Sequence, residues 1–385
     1  MSNWNIKELG EVCQFFNGQA HEKCIDENGK YKLINSKFVS SEGETFKRTD
    51  KALSPLFQND IVMVMSDVPN GKTIAKCFLV DKDDTYTLNQ RICVIRSKEF
   101  DTKFLFYQLN RNKYFLSFDN GENQTNLRKD DILKCKLFVP PLQEQQRIVA
   151  ILDEAFSAID KAKANTEQNL KNAKELFESE LQRVFSEKGD GWEEKRLGDV
   201  CELKSGTTIS PSLERKEGDV IYAKVGDMTL PENQIEMITS TRFVNSAEIK
   251  SNQIIPEGAI IFPKRGGAIA TNKKRKIVKP TIVDLNTMAI IPSNKIDKDF
   301  LFHWFQLIDL NKISNGTSIP QINNYSFDYI SIPFPKSLKD QQTIVAKLDA
   351  LLEQTKKLEA VCEKKLQDLE ELKKSVLSKA FSGEL

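Results

Sequence analysis

The chain is written twice. Pro141-Leu142-Gln143-Glu144-Gln145-Gln146-Arg147-Ile148-Val149-Ala150-Ile151-Leu152-Asp153 reappears as Ser337-Leu338-Lys339-Asp340-Gln341-Gln342-Thr343-Ile344-Val345-Ala346-Lys347-Leu348-Asp349, at an offset of 196 residues. Trp4, Leu9, Gly10, Val12, Cys13 and Gly18 recur as Trp192, Leu197, Gly198, Val200, Cys201 and Gly206, at an offset of 188. A tandem duplication allows only folds made of two copies of one plan. Between these anchors the match fades. Leu88-Asn89 aligns with Leu285-Asn286, and Phe104-Leu105-Phe106 with Phe300-Leu301-Phe302, while the stretches between differ. A constant frame with variable inserts suits a protein that reads two different things with one geometry.

Each repeat ends in a long helical pattern. In the first, apolar or small residues fall at Ile148, Leu152, Ala155, Ile159, Ala162, Thr166, Leu170, Ala173, Phe177, Leu181 and Val184. The second repeats this at Ile344, Leu348, Leu351, Thr355, Leu358, Cys362, Leu366, Leu369, Leu372, Val376 and Ala380. Steps of three and four make a coiled-coil seam, and the nearest partner for each seam is the other. Pro140-Pro141 suits the entry to the first helix, Ser337 with Asp340 resembles a capping box, and Gly189 and Gly383 follow the last turns. About 45 residues at about 1.5 Å each predict a rod of about 65 Å. Packed antiparallel, the two helices would hold the globular halves at opposite ends about a pseudo-two-fold axis. The same periodicity also suits a dimerisation or scaffold coil.

The globular halves carry short apolar runs, such as Ile61-Val62-Met63-Val64-Met65, Ile92-Cys93-Val94-Ile95, Ala259-Ile260-Ile261-Phe262 and Met288-Ala289-Ile290-Ile291, separated by Gly, Asn and Asp turns. These predict strands, with a short aromatic helix near Phe104 to Leu109 and Phe300 to Leu307. The fold class is α+β. The length of 385 residues is too great for one ordinary core and predicts two domains. With 39% hydrophobic and 29% charged residues, no apolar run long enough for a bilayer and no secretory leader pattern, the chain is expected in the cytoplasm.

A formal net charge of +1 hides local basic clusters at Lys264-Arg265 and Lys273-Lys274-Arg275-Lys276. They suit either DNA contact or a solvated hairpin tip. Polar stretches lie beside the strands in both halves. Asn35-Ser36-Lys37 has a counterpart at Lys224-Val225-Gly226-Asp227, Asn89-Gln90-Arg91 aligns with Asn286-Thr287-Met288, and the loop from Gly316 to Asn323 matches Gly121 to Arg128. Arg, Lys, Asn and Gln can make paired hydrogen bonds to guanine and adenine edges. The candidate DNA-binding set is therefore Asn35, Lys37, Lys72, Asn89, Gln90, Arg91, Asn126, Arg128, Lys224, Lys264, Arg265, Lys273, Lys274, Arg275, Ser318, Gln321 and Asn323.

Familiar catalytic patterns are missing. The seven cysteines form no Cys-x-x-Cys pair and read as reduced core thiols. His21 and His303, the only two histidines, stand at unmatched places, so no histidine metal site or Ser-His-Asp triad can recur in both halves. His303, within Phe300-Leu301-Phe302-His303-Trp304-Phe305, reads as a packed core residue. Gly71-Lys72-Thr73 resembles the end of a phosphate-binding loop, but Ser66 stands where its first glycine is required and Pro69 interrupts it. No dinucleotide-binding glycine motif, His-Glu-x-x-His or Asn-Pro-Pro-aromatic tetrapeptide is present.

Pro140-Pro141-Leu142-x-Glu144-Gln145-x-x-Ile148-Val149 opening a long helix, repeated after a second domain that begins Trp192-x-x-x-x-Leu197-Gly198-Asp199-Val200, resembles the specificity subunit of type I restriction-modification systems over essentially the whole chain. The second copy departs from the pattern, with Lys336-Ser337 in place of the proline pair. The resemblance implies target-recognition domains at 1–140 and 189–336, with spacer helices at 141–188 and 337–385. Each domain would read one half of a bipartite double-stranded DNA sequence. It also implies no cofactor and no catalysis in this chain. Modification subunits that bind S-adenosylmethionine and methylate adenine, and restriction subunits that consume ATP, would be its partners. Two readings from other classes stand beside it: a coiled-coil scaffold whose globular ends bind proteins, and an enzyme with an unrecognised site.

Overall fold

From Leu142 the chain runs as one helix of 45 residues to Ser186, and from Leu338 as a second of 45 residues to Ser382. The computed structural model describes residues 4–69, 71–316 and 318–385; Thr317, within the polar loop singled out above, lies outside them. Fully or nearly fully buried seam positions recur every seven residues, at Leu152, Ile159, Thr166 and Ala173 in the first helix and at Leu348, Thr355 and Cys362 in the second. This is the heptad expected of a coiled coil. Leu358 and Leu372, assigned to the seam from their spacing, are instead 45% and 47% exposed. Steps of three and four describe a stripe wider than the line of contact, so its flanking members stay in water.

The chain forms two compact units, residues 1–166 with 365–385 and residues 167–364. Each therefore holds one globular half, the first part of the helix that follows it and the last part of the other helix. A division by sequence order into domain, helix, domain and helix cuts across this arrangement, because the apolar surface of each globular half is covered by both helices.

In the first unit the strand Asn5–Glu8 pairs antiparallel with Lys136–Val139, so the start of the globular half is tied to its end just before the helix. A four-stranded antiparallel sheet follows the order Gln14–Asn17, Ile92–Arg96, Ile61–Val64, Cys77–Leu79. Beside it, Tyr31–Ile34 lies between Lys47–Thr49 and Tyr86–Leu88, parallel to the latter. The aromatic helix Thr102–Leu109 begins at Asp101, whose side chain accepts from the Phe104 amide. Phe104 is fully buried and meets Phe381 edge-on at 5.5 Å, which fastens the end of the second long helix to this half. The two helix segments run antiparallel, as shown by contacts from Arg147 to the Leu385 carbonyl, Asp160 to Lys373 and Lys163 to Glu370.

The second unit repeats the plan. Trp192–Arg196 pairs with Ser331–Pro335, and Val220–Ala223 lies parallel to Thr281–Val283. The larger sheet has five strands in the order Cys201–Ser205, Thr287–Pro292, Ile260–Pro263, Arg275–Ile277, Glu236–Met237. Phe300, in the aromatic helix Lys298–Gln306, meets Phe185 of the first long helix at 5.1 Å. Burying such a side chain contributes about 1.5–3 kcal/mol, so the aromatic helix helps fasten a long helix to the globular half in each unit.

His303 is 3% exposed, with Nε2 2.8 Å from Asp349 on the second long helix. The same place in the first unit is held by Tyr107, which donates to Asp153 at 2.6 Å. The cysteines are all free thiols; five are buried as expected of core residues, whereas Cys13 and Cys24 are only half-buried, and burial pushes the thiol pKa of Cys13, Cys93, Cys135 and Cys201 up to about 12.

Candidate nucleic-acid interface

The polar loops of each unit converge because one set of backbone hydrogen bonds links them. In the first unit the Asn89 amide donates to Ile34, Met65 donates to Arg91, and Leu127 donates to Met65, while Asn126 stands opposite Ser66. In the second unit Asp284 donates to Ala223, Lys264 to Asn286, and Ile322 to Lys264, while Gln321 stands opposite Arg265. These bonds put Asn35 and Lys224, Ser66 and Arg265, Arg91 and Asn286, Asn126 and Gln321, and Arg128 and Asn323 at equivalent places. The frame corrects one alignment made from sequence. Asn89 corresponds to Asp284, not to Asn286, because each carboxamide or carboxylate oxygen accepts from the amide two residues on, at 3.3 Å to Arg91 and 3.2 Å to Asn286. Asn and Asp make the same turn, so the letters alone misplaced the register.

The frame needs glycine at its back. Gly18 and Gly206 donate to Ile92 and Thr287, and a Cβ at either would sit 2.1 or 1.9 Å from the carbonyl oxygen of Asn89 or Asp284. No side chain fits such an approach, which explains why both repeats keep glycine there.

Of the candidate residues in the first unit, Asn35, Asn89, Gln90, Arg91, Asn126 and Arg128 are brought together on this frame. Asn35 caps the short helix Ser36–Ser40 by accepting from the Phe38 amide, and Lys37 projects from it, exposed. Asn89 shapes its own turn, Gln90 reaches Glu22 at 3.5 Å, and Arg91, Asn126 and Arg128 are exposed. Lys72, also exposed, sits on the adjoining loop. That loop does not hold a phosphate in the manner its sequence suggested: the amides of Thr73 and Ile74 donate to the Asp67 carboxylate at 2.6 and 3.0 Å. Although burial opposes it, those bonds lower the pKa of Asp67, so the loop already encloses its own anion.

In the second unit Lys224, Lys264, Arg265, Gln321 and Asn323 come together, with Ser318 exposed on the loop beside them. Lys224 bonds Glu214 at 3.0 Å and Lys264 bonds Ser205 at 3.0 Å. Burial, with the adjacent Arg265 charge, lowers the Lys264 pKa. Lys273 is half-buried and lies away from this group, after the turn Gly266–Thr271.

The basic run Lys273-Lys274-Arg275-Lys276 is not a hairpin tip. Lys274 is 3% exposed, and its ammonium donates to the carbonyls of Gln306 and Ile308 at the end of the aromatic helix. Arg275 donates to Lys274 and Met228, and Lys276 pairs with Asp299 and Glu236. Arg275–Ile277 is an interior strand with neighbours on both sides, so these cations satisfy the domain and Lys274 and Arg275 offer nothing to a phosphate. Four residues that sequence reasoning did not single out belong on the frame: Ser66, Gln124, Asn315 and Tyr325. Gln124 donates to the Ser66 hydroxyl at 2.8 Å, and Tyr325 accepts from Asn323 at 2.9 Å. Only Tyr325 carried a signal, an aromatic ring in an otherwise polar run.

The sequence pattern of the type I restriction modification DNA specificity domain matches residues 1–172 and again 189–370. The chain belongs to that family. Its relatives include the type I restriction enzyme MjaVIII specificity subunit of Methanocaldococcus jannaschii, 24% identical over 100% of this chain and 93% of the relative. The EcoDI specificity subunit of Escherichia coli is 25% identical over 100% of this chain and 89% of its own length. The HsdS subunit from Thermoanaerobacter tengcongensis shares the fold at 19% identity, with a TM-score of 0.64 over 99% of this chain and 97% of that one. A chain from a study of complex assembly and conformational transition in the type I restriction-modification system gives a TM-score of 0.78 at 20% identity, over 99% and 98%. The two matched ranges coincide with the two copies seen in the sequence and in the fold. Among the described residues no group of three His, Cys, Asp or Glu could hold a metal ion, and no helix is long and apolar enough to cross a membrane.

Proposed function

We propose that this specificity subunit reads a bipartite double-stranded DNA sequence, one half with each unit, and directs partner subunits to it without doing chemistry itself. The observation that carries this reading is the conserved backbone frame bearing unlike side chains: Asn35 against Lys224, Ser66 against Arg265, Asn126 against Gln321. One geometry placed on two half-sites, with different donors and acceptors at matching points, is what discrimination between two unlike sequences requires. The long helices then fix the unread spacing geometrically. In this reading the partners are modification subunits, which bind S-adenosylmethionine and methylate adenine after extruding it from the stack, and restriction subunits that consume ATP. The complex works in the cytoplasm, and this chain binds no cofactor of its own.

The test is to sequence methylated adenines in a host carrying the chain with its partners. A bipartite motif with a fixed gap is expected. Replacing residues 190–336 with those of another family member should change one half of the motif and leave the other. A chain that enriches no sequence from a randomised duplex library, and whose removal leaves every methylated site in place, is a scaffold instead.

A further inference from the structure

Three short extended segments meet at the edge of the second unit. Gly266 donates to Pro320 and Ile322 to Lys264, both at 2.8 Å, which sets Arg265 directly opposite Gln321 between those bonds. On the other side Asn315 and Gln321 exchange both backbone bonds at 2.8 Å. Residues directly opposed in an antiparallel ladder project to the same side. Arg265, Gln321 and Asn315 therefore form one row, and the fully buried Ile322 marks the opposite side as the inner one. Neighbouring strands lie about 4.8 Å apart. The row thus spaces its side chains between one and two base-pair steps of about 3.4 Å.

The chemistry along the row is unequal. Most nearby cations of this unit are engaged: Lys264 by Ser205, Lys224 by Glu214, Lys274 by two carbonyls. Arg265 is exposed and its guanidinium has no hydrogen-bond or ion-pair partner among the described residues. Gln321 is held in orientation. Its amide nitrogen donates to Asn323 Oδ1 at 3.2 Å, and the Asn323 amide donates in turn to Tyr325 Oη at 2.9 Å. That chain leaves Gln321 one N–H and its carbonyl oxygen, the donor and acceptor that match adenine N7 and N6. A free guanidinium matches guanine O6 and N7 in the same way. At the equivalent place in the first unit Ser66 opposes Asn126, and its hydroxyl accepts from Gln124.

We propose that Arg265 and Gln321 are the base-discriminating residues of the second unit, Arg265 reading a guanine and Gln321 an adenine close by in the major groove. The first unit carries no guanidinium at that point, so this guanine belongs to one half-site only. The proposal rests on reading the chain as a DNA specificity subunit, and its test separates the two.

The full chain, alone and co-expressed with its modification partner, is presented with a randomised duplex pool. The wild type should enrich a bipartite motif whose one half contains a guanine near an adenine. Arg265→Ala should erase the preference at that guanine, from about 10- to 100-fold to under about 3-fold, with the other half-site untouched. Arg265→Gln should move the same position towards adenine, and Gln321→Ala should relax the neighbouring adenine by a similar factor. Unchanged far-ultraviolet circular dichroism and thermal midpoint confirm the fold of the variants at exposed Arg265 and half-buried Gln321. If Arg265→Ala instead lowers binding equally to all sequences, reduces the salt slope by about one and leaves the motif intact, Arg265 is a phosphate clamp and the assignment is overturned. A motif that no Arg265 or Gln321 variant alters overturns it as well. A wild type that enriches no motif removes the specificity reading first, and this assignment with it.

Discussion

The side-chain oxygen of Gln341 accepts a hydrogen bond from the backbone amide of Asp297 at 2.7 Å, and Gln145 holds Asp101 in the same way at 2.8 Å. Each glutamine also donates to two carbonyls, Gln341 to Pro335 and Lys295 and Gln145 to Pro140 and Glu99. Asp101 and Asp297 are in turn the caps of the aromatic helices. One buried amide therefore joins the first turn of a long helix, the end of the last strand and the start of the aromatic helix. The repeated Gln of the helix-opening motif is a structural rivet, not a contact for a partner.

Gln341→Ala leaves three backbone groups without partners in a site that is 0% exposed. Burying such groups unpaired is costly, so a loss of about 3 kcal/mol is expected from urea unfolding of the full chain. Gln341→Glu keeps the acceptor but loses both donors and should be nearly as damaging. A midpoint within error of the wild type for either variant contradicts the rivet.

Gly206→Ala is expected to destabilise the second unit by about 2 kcal/mol or more, since the new methyl would lie 1.9 Å from the Asp284 carbonyl oxygen and the backbone must give way. Gly198→Ala is the control: nothing lies within 4 Å of a Cβ there, and its Leu197–Val200 helix favours alanine. Comparing the two by chemical denaturation isolates the close approach from the general effect of losing a glycine. Equal midpoints for the two variants contradict it.

The duplication, both long helices and the aromatic helices were legible because each rests on a local pattern: an offset copy, a heptad and a cluster of rings. The frame was not, because it is made of backbone bonds between loops distant in sequence, and backbone bonds leave no letters. Lys273-Lys274-Arg275-Lys276 shows the second limit. A run of four cations suits either DNA contact or a solvated hairpin tip, yet an interior strand and the C-terminal carbonyls of a helix took up three of them. Asn89 and Asp284 show the third, since two residue types that make one turn equally well conceal an equivalence that the hydrogen bonds make plain.

Lys274→Ala should destabilise the chain by about 2 kcal/mol, because the Gln306 and Ile308 carbonyls lose their donor. The salt dependence of DNA binding should not change. The effect carries a pH signature. Burial lowers the Lys274 pKa from 10.5 to about 8. Between those values the unfolded chain keeps a proton that the folded chain has released, so this lysine adds stability as pH rises from 8 to 10.5. Subtracting the variant from the wild type cancels the thiols and tyrosines that titrate in the same range. A difference that stays flat or falls across this window contradicts the buried ammonium.

Lys37 offers the opposite case. It is exposed on the helix capped by Asn35, and Asn89 beside that cap places it next to the loops of the first unit. A cation there that neutralises one phosphate releases its share of condensed counterions when DNA binds. Lys37→Ala should therefore lower the slope of log affinity against log salt by about one, weaken binding to all sequences alike and leave the recognised bases unchanged. Unfolding should shift by less than about 0.5 kcal/mol, since no packing is lost. Titrations of the full chain at several salt concentrations separate this from base reading: a slope equal to that of the wild type removes Lys37 from the interface, and a changed motif moves it from the phosphate backbone to the base edges.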